Sequence, residues 1–323
     1  MQLFYKFLYL FLFPALCFSI SCSKDFYHYD NIFIIDTFIE FTLGAGIREP
    51  QTNNYKTMSP SEADSIRDKI LKEIYRLDKI LNPHNNNSEL AVINKKARDG
   101  FTPMSYELAF VVKRALHFSS ISNGAFDPAM LSLKKVWNLS RDETFVLPAE
   151  TQIKNAIKIC GYKYVRLEGN NIKFIKKGLG IDLGGIAKGY IADKIIELLK
   201  RLGVESALIN LGGNVYAHGK KQGKQWKIGI QHPRKTDELL AVIEASDVSV
   251  VSSGDYQRYA IVNNKRYHHI LNPETGYPSN ASICTTAICK NSIDADALST
   301  ALFVLGHQEG IKLAEKLKIN AII

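Results

Sequence analysis

Cysteine is scarce in this 323-residue chain, and its five positions, Cys17, Cys22, Cys160, Cys284 and Cys289, never fall at a CxxC spacing. No zinc site of the usual kind is therefore indicated, and the three cysteines beyond residue 22, an odd number, do not make a disulfide framework. They are expected in the core. A glycine-rich nucleotide fingerprint of the usual kind is missing, and so is any repeat at solenoid or propeller period. Blocks of like charge are absent too. The formal charge of +9 suits an anionic partner such as a phosphorylated ligand or a phospholipid surface, but the lysines are scattered, so nucleic acid is not indicated. Nor does the composition fit a disordered, fibrous or polytopic protein.

Met1 to Cys22 differs from the rest. Lys6 precedes an apolar run from Phe7 to Ile20 that is too short to span a bilayer comfortably, which is the pattern of a secretory signal. It ends Ser19-Ile20-Ser21-Cys22-Ser23, which resembles the lipobox of bacterial lipoproteins and makes Cys22 the candidate for acylation. Ser19 departs from the usual leucine, and bulky Leu16 disfavours Cys17. The alternatives are an uncleaved signal anchor or a simple secreted protein. The expected organisation is a leader over 1–22, a tether and first strand over 23–40, and one domain over 41–323.

The tether is polar to about Asp30; Ile32 to Phe41 then reads as a strand running into a glycine turn at Thr42-Leu43-Gly44-Ala45-Gly46. Ser59-Pro60-Ser61-Glu62 is a capping box with proline at the first helical position, and Ile66, Ile70, Ile74, Leu77 and Leu81 continue it as an amphipathic helix. A loop, Asn82 to Asn87, follows, and Ser88 caps a short helix. A third helix around Leu108 to Leu116 ends at Asn123-Gly124. Gly169-Asn170-Asn171 signals a hairpin, and from Ser206 to Ser252 strands dominate. The expected fold is α+β, a mostly antiparallel curled sheet with packed helices.

The stretch from Gly180 to Asp193 reads as a short strand ending at Asp182, a Gly184-Gly185 turn, and a helix start. Glycines there let backbone N–H groups approach a phosphate, and the helix dipole favours its charge; for the glycine pair alone, a plain tight turn is the commoner reading. Asp296 and Thr300, four apart on a helix, present a carboxylate and a hydroxyl on one face, the oxygen donors that magnesium prefers, although Asp296 alone also suits a helix cap. Asp127, before Pro128, reads as a turn former. His268-His269 are strand neighbours that face opposite sides and do not share a metal.

Six segments in this order resemble the ApbE family, the FAD:protein FMN transferases: Gly124-Ala125-Phe126-Asp127-Pro128, Asp182 to Gly189, Leu211-Gly212-Gly213-Asn214, Ser253-Gly254-Asp255-Tyr256, His269-Ile270-Leu271-Asn272-Pro273 with Thr275-Gly276, and Asp296 to Thr300. The resemblance runs from about Thr42 to the C-terminus. It implies an enzyme that binds FAD as substrate, uses magnesium to split its pyrophosphate, and attaches FMN to a threonine of a target flavoprotein, with release of AMP. The target is typically a subunit of a membrane redox complex, and the enzyme is lipid-anchored on the periplasmic side of the bacterial inner membrane.

By position, the resemblance places Ala125, Phe126, Asp127, Asp182, Lys188 and Ile270 against FAD, with Leu43 and His84 at two further contact positions. It places Gly185, Asp296 and Thr300 on magnesium, with Ser299 adjacent; Asp296 and Thr300 also stand as the catalytic pair. Two departures stand out. Leu43-Gly44-Ala45 replaces the family's Met-Gly-Thr, and His84 stands where an aromatic, commonly tyrosine, stacks on the dinucleotide. Rival expectations are a FAD pyrophosphatase, a non-catalytic FAD-binding lipoprotein and an adhesion lipoprotein without ligand.

Overall fold

The computed structural model describes residues 25–35, 37–49, 52, 54–139, 145–235 and 237–323, so the leader, Cys17 and Cys22 lie outside the described residues. In chain order the elements are β1 (Phe26–Ile34), β2 (Thr37–Gly44), β3 (Gly46–Arg48), β4 (Tyr55–Thr57), α1 (Pro60–Leu81), α2 (Glu89–Lys96), β5 (Thr102–Pro103), α3 (Tyr106–Ile121), α4 (Leu131–Trp137) and α5 (Glu150–Ile159). There follow β6 (Val165–Glu168), β7 (Asn171–Phe174), α6 (Ala187–Arg201), β8 (Ala207–Leu211), β9 (Asn214–His218), β10 (Trp226–Gln231), β11 (Leu239–Ala245) and β12 (Val248–Gly254). Last come β13 (Tyr259–Val262), β14 (Lys265–His268), β15 (Cys284–Cys289), α7 (Ser292–Leu317) and β16 (Asn320–Ile322).

One seven-stranded sheet, ordered β1-β2-β8-β9-β12-β15-β16 and antiparallel throughout, carries the fold. Alternation along its strands sends two sets of side chains to opposite faces. Ile209, Leu211, Tyr216, Val251 and Ala287 join α1, α2, α3, α6 and α7 in the main core. Val215, Ala217, Val250 and Ile288 face the other way and meet Trp226, Ile228 and Ile230 of the β10–β11 hairpin. The α+β expectation holds, with the hairpin covering the face that the helices leave.

The capping box at Ser59 and Glu62 is formed, and Ile66, Ile70, Ile74, Leu77 and Leu81 are buried on α1. Ser88 caps α2. Where a tether was expected up to Asp30, the chain is in strand from Phe26, because Tyr27 and Tyr29 lean on the core and their hydroxyls bond Met58 O and Asp64. The segment from Gly180 to Asp182, read as a short strand, belongs to no strand in the structure. Instead the Asn94 carboxamide takes both backbone groups of Ile181, at 2.7 and 2.8 Å, as a neighbouring strand would.

Cys160, Cys284 and Cys289 are free thiols; of the three only Cys289 is buried, and Cys160 and Cys284 are half-buried. The patterning gave no expectation of α4, α5 or the β13–β14 hairpin. Trp137, Leu133, Ile153, Ala156 and Leu271 close them into a satellite core.

Candidate active site

Small residues bring α7 onto the sheet and α6 onto α7. On the sheet side, Ser249 bonds Ser292 at 2.8 Å, Ser253 bonds Ser299 at 2.8 Å, and Thr285 donates to the Ser299 carbonyl at 2.7 Å. Every one of these buried hydroxyls has a partner, as burial of polar groups requires. On the other side α7 meets the first turns of α6. Asp296, almost fully buried, accepts the Gly189 N–H through Oδ2 at 2.9 Å. Thr300, one turn on, has its hydroxyl 3.5 Å from Ser253 Oγ.

The 184–186 turn that leads into α6 passes this point. A Cβ on Gly185 would stand 3.4 Å from Thr300 Oγ1 and 3.0 Å from the Phe126 ring, so glycine is what lets the turn approach both. Gly185, Asp296, Thr300 and Phe126 are thus brought together. The donors at the crossing are all oxygen: a carboxylate, a hydroxyl and the peptide of a glycine turn. That set fits a magnesium ion, which keeps several ligands from water or phosphate. Among the described residues no three His, Cys, Asp or Glu side chains converge as a metal cluster.

Asp182 opens the turn. Burial alone would raise its carboxyl, but Lys134 at 2.5 Å and the Gly184 N–H at 2.8 Å outweigh burial and hold it below the usual carboxylate range. His84, on the exposed loop after α1, has Nε2 4.0 Å from Asp182 Oδ2, so that loop reaches the mouth of the site.

Cations gather on the same side. The Lys188 amine is pushed down, first by burial and then by the positive charges of Arg258 and Lys134, with Asp296 pulling the other way. His269 is held well below its ordinary value by burial, Arg258, His268 and Lys188, and is therefore neutral at pH 7. Its Nδ1 lies 3.3 Å from the Arg258 carbonyl, which makes Nδ1 the donor and leaves Nε2 with the lone pair. His268, by contrast, spends Nε2 on Ser279 O at 2.7 Å and Nδ1 on the Ile270 N–H at 3.3 Å. A buried amine drawn below its usual pKa, with two further cations acting on it, is the kind of perturbed group that clusters at functional sites.

Other expected residues are placed differently. Leu43 is fully buried in the main core, opposite Ala207 in the β2–β8 register, whereas Ser253 lies at the β12 end beyond the β8–β9 turn. It therefore lies toward the opposite end of the sheet from the crossing, packed in the core. Asp127 spends one oxygen on Ala129 N at 2.7 Å and the other on Tyr162 N at 2.9 Å, and burial lifts its carboxyl to about 6; it acts as the turn former its setting implies. Ile270 is buried with Phe303 and Val304, with Ala125 against them. Lys134 and Arg258 carry much of the site's charge but were not singled out by sequence. Lys134 sits on a short helix with no motif, and Arg258 lies two residues past the Ser253-Gly254-Asp255-Tyr256 segment with no spacing to mark it.

The chain matches the family model described as the ApbE family over residues 36–323. It is 34% identical to the FAD:protein FMN transferase of Treponema pallidum over 80% of this chain and 76% of that protein. To a FAD:protein FMN transferase of Klebsiella pneumoniae it is 33% identical over 81% and 83%. Among solved structures, the ApbE protein of Thermotoga maritima superposes with a TM-score of 0.80 at 30% identity, covering 92% of this chain and 93% of that one. The apo flavinyl transferase ApbE of Pseudomonas stutzeri gives 0.78 at 27%, covering 92% and 90%.

Proposed function

The chain belongs to the ApbE family, and from that premise we propose that it transfers FMN from FAD to a threonine hydroxyl of a target flavoprotein and releases AMP. The observation that carries this reading is the crossing of α6 and α7. It sets Asp296 and Thr300 against the Gly185 turn, with Lys188 near Asp296. Magnesium, held by Asp296, Thr300 and the Gly185 peptide, would supply neutralisation of pyrophosphate charge when bound.

The protein's own groups do the rest. Lys188 and Arg258 offset phosphate charge, and the positive end of the α6 dipole, whose Gly189 N–H is bonded to Asp296, adds to them. His84, exposed beside Asp182, is proposed to stack on a ring of the dinucleotide. The acceptor hydroxyl attacks the phosphorus on the FMN side; a P–O bond to the acceptor forms as the P–O bond to AMP breaks. The displaced proton passes to a base; neutral His269 offers an unprotonated Nε2, and a bound pyrophosphate would strengthen it by offsetting the charges of Arg258 and Lys188 that weaken it.

The acceptor is proposed to be a subunit of a membrane redox complex. The enzyme itself is proposed to be anchored through acylated Cys22 on the periplasmic face of the inner membrane. Among the described residues no helix is long and apolar enough to cross a membrane. Incubation with FAD, Mg2+ and a threonine-bearing flavoprotein, read by intact mass, tests the reading. An acceptor gaining one FMN supports it, and an acceptor of unchanged mass with intact FAD sinks it.

A further inference from the structure

Both helices of the crossing start without a cap of their own. Neither Ile186, ahead of α6, nor Asn291, ahead of α7, closes its helix with a side-chain hydrogen bond. The acceptors come from the opposite helix. Asp296 of α7 takes the Gly189 N–H of α6 at 2.9 Å. In return, Asp193 of α6 takes two N–H groups of α7, that of Ser292 at 2.7 Å through Oδ1 and that of Ile293 at 2.9 Å through Oδ2.

Gly189 and Asp193 are four residues apart, so they lie on one face of α6. At Gly189 that face touches the α7 backbone: an added Cβ would stand 2.3 Å from Ser292 O. Three hydrogen bonds and one close approach therefore define a single register of α7 against α6. The 184–186 turn runs straight into α6, while Asp296 and Thr300 stand one and two turns into α7. A slip of α7 along α6 would carry both side chains away from Gly185.

We propose that Asp193 is a positioning residue for the reaction: its carboxylate fixes the register of α7 on α6 that holds Asp296 and Thr300 at the Gly185 turn. It touches neither substrate nor ion. The inference rests on the reading of that crossing as a cation site.

Two substitutions test it. Asp193→Asn keeps the shape but replaces one acceptor oxygen by an amide that cannot accept an N–H. Ser292→Pro removes one donor at the first position of α7, where proline suits a helix; it also loses the Ser292 hydroxyl. Mg2+ is titrated into FAD turnover at a temperature where each variant retains its native circular dichroism, and FAD binding is measured without Mg2+.

The expected result is a roughly tenfold rise in the Mg2+ needed for half-maximal rate, the scale of one lost charge-assisted cap, with FAD affinity within about twofold of wild type. Half-maximal Mg2+ unchanged in the variants, even where thermal stability falls, overturns the inference and leaves Asp193 a structural cap. Should Asp193→Asn fail to fold, Ser292→Pro decides by the same two outcomes. Wild-type turnover indifferent to Mg2+ overturns the cation-site reading and the inference with it, and is recognised because it shows in the unmodified protein.

Discussion

Gly189 and Ser292 approach so closely that a methyl group on the Gly189 α-carbon would lie 2.3 Å from the Ser292 carbonyl oxygen. Both partners at that point are helix backbone, which cannot yield as a side-chain tip can. Gly189→Ala is accordingly expected to destabilise the fold by about 1–3 kcal/mol, the usual range for overpacking. Gly46→Ala, where an added Cβ meets nothing within 4 Å, should change stability by no more than about 0.5 kcal/mol. Denaturant unfolding of the two variants checks this, and equal midpoints would show that the helices are not packed as described.

Leu43 gives a second test, because resemblance and structure assign it different work. Fully buried on β2, its truncation to alanine should cost about 2–5 kcal/mol of stability while leaving the FAD dissociation constant of the folded protein unchanged. A large loss of FAD affinity with stability intact would return Leu43 to the ligand.

The lowered pKa of Lys188 predicts a pH effect of definite sign. The amine is charged below its depressed value and neutral above it, and only the charged form attracts pyrophosphate. FAD affinity should therefore fall as pH rises through that depressed value. Lys188→Arg, whose guanidinium stays charged, should flatten that fall, and Lys188→Met should weaken binding roughly tenfold or more at neutral pH. Binding titrations from neutral to alkaline pH measure it; identical alkaline profiles for wild type and Lys188→Arg would remove Lys188 from the phosphates.

His84 reaches the mouth of the site but keeps 64% of its side chain exposed, so its ring has room to stack on a ligand. Replacing it with the larger ring of tyrosine should raise FAD retention and slow any release of AMP to water, with little loss of transfer when acceptor is abundant. Equal FAD dissociation constants and equal AMP release for wild type and His84→Tyr would show that the loop does not touch the dinucleotide.

Legibility in the sequence followed the range of the interaction. Local signals read true: the Ser59–Glu62 box, the Ser88 cap, the Gly169 turn and the apolar stripe of α1 all depend on residues within a few positions of each other. The pairing of Asp296 with Gly189 spans 107 positions, and that of Lys134 with Asp182 spans 48; no periodicity encodes either. Asn94 substituting for a strand beside Ile181 was hidden for the same reason. The β13–β14 hairpin left a local trace, Asn263-Asn264 with φ of 49° and 61°, in the conformation that favours asparagine at tight turns. Leu43 is assigned to the ligand by resemblance alone, and its place opposite Ala207 in the β2–β8 pairing, set by partners far along the chain, is not written in its local sequence.

The central claim is that the crossing of α6 and α7 splits FAD so that FMN passes to a protein acceptor. It is tested most directly by counting AMP released against FMN gained by the acceptor in one reaction with FAD and Mg2+, with Asp296→Ala run in parallel. One AMP for each FMN attached, and no Mg2+-dependent AMP from Asp296→Ala despite measurable FAD binding, is the predicted result. AMP appearing while the acceptor mass stays unchanged, or full transfer by Asp296→Ala at limiting Mg2+, would contradict it.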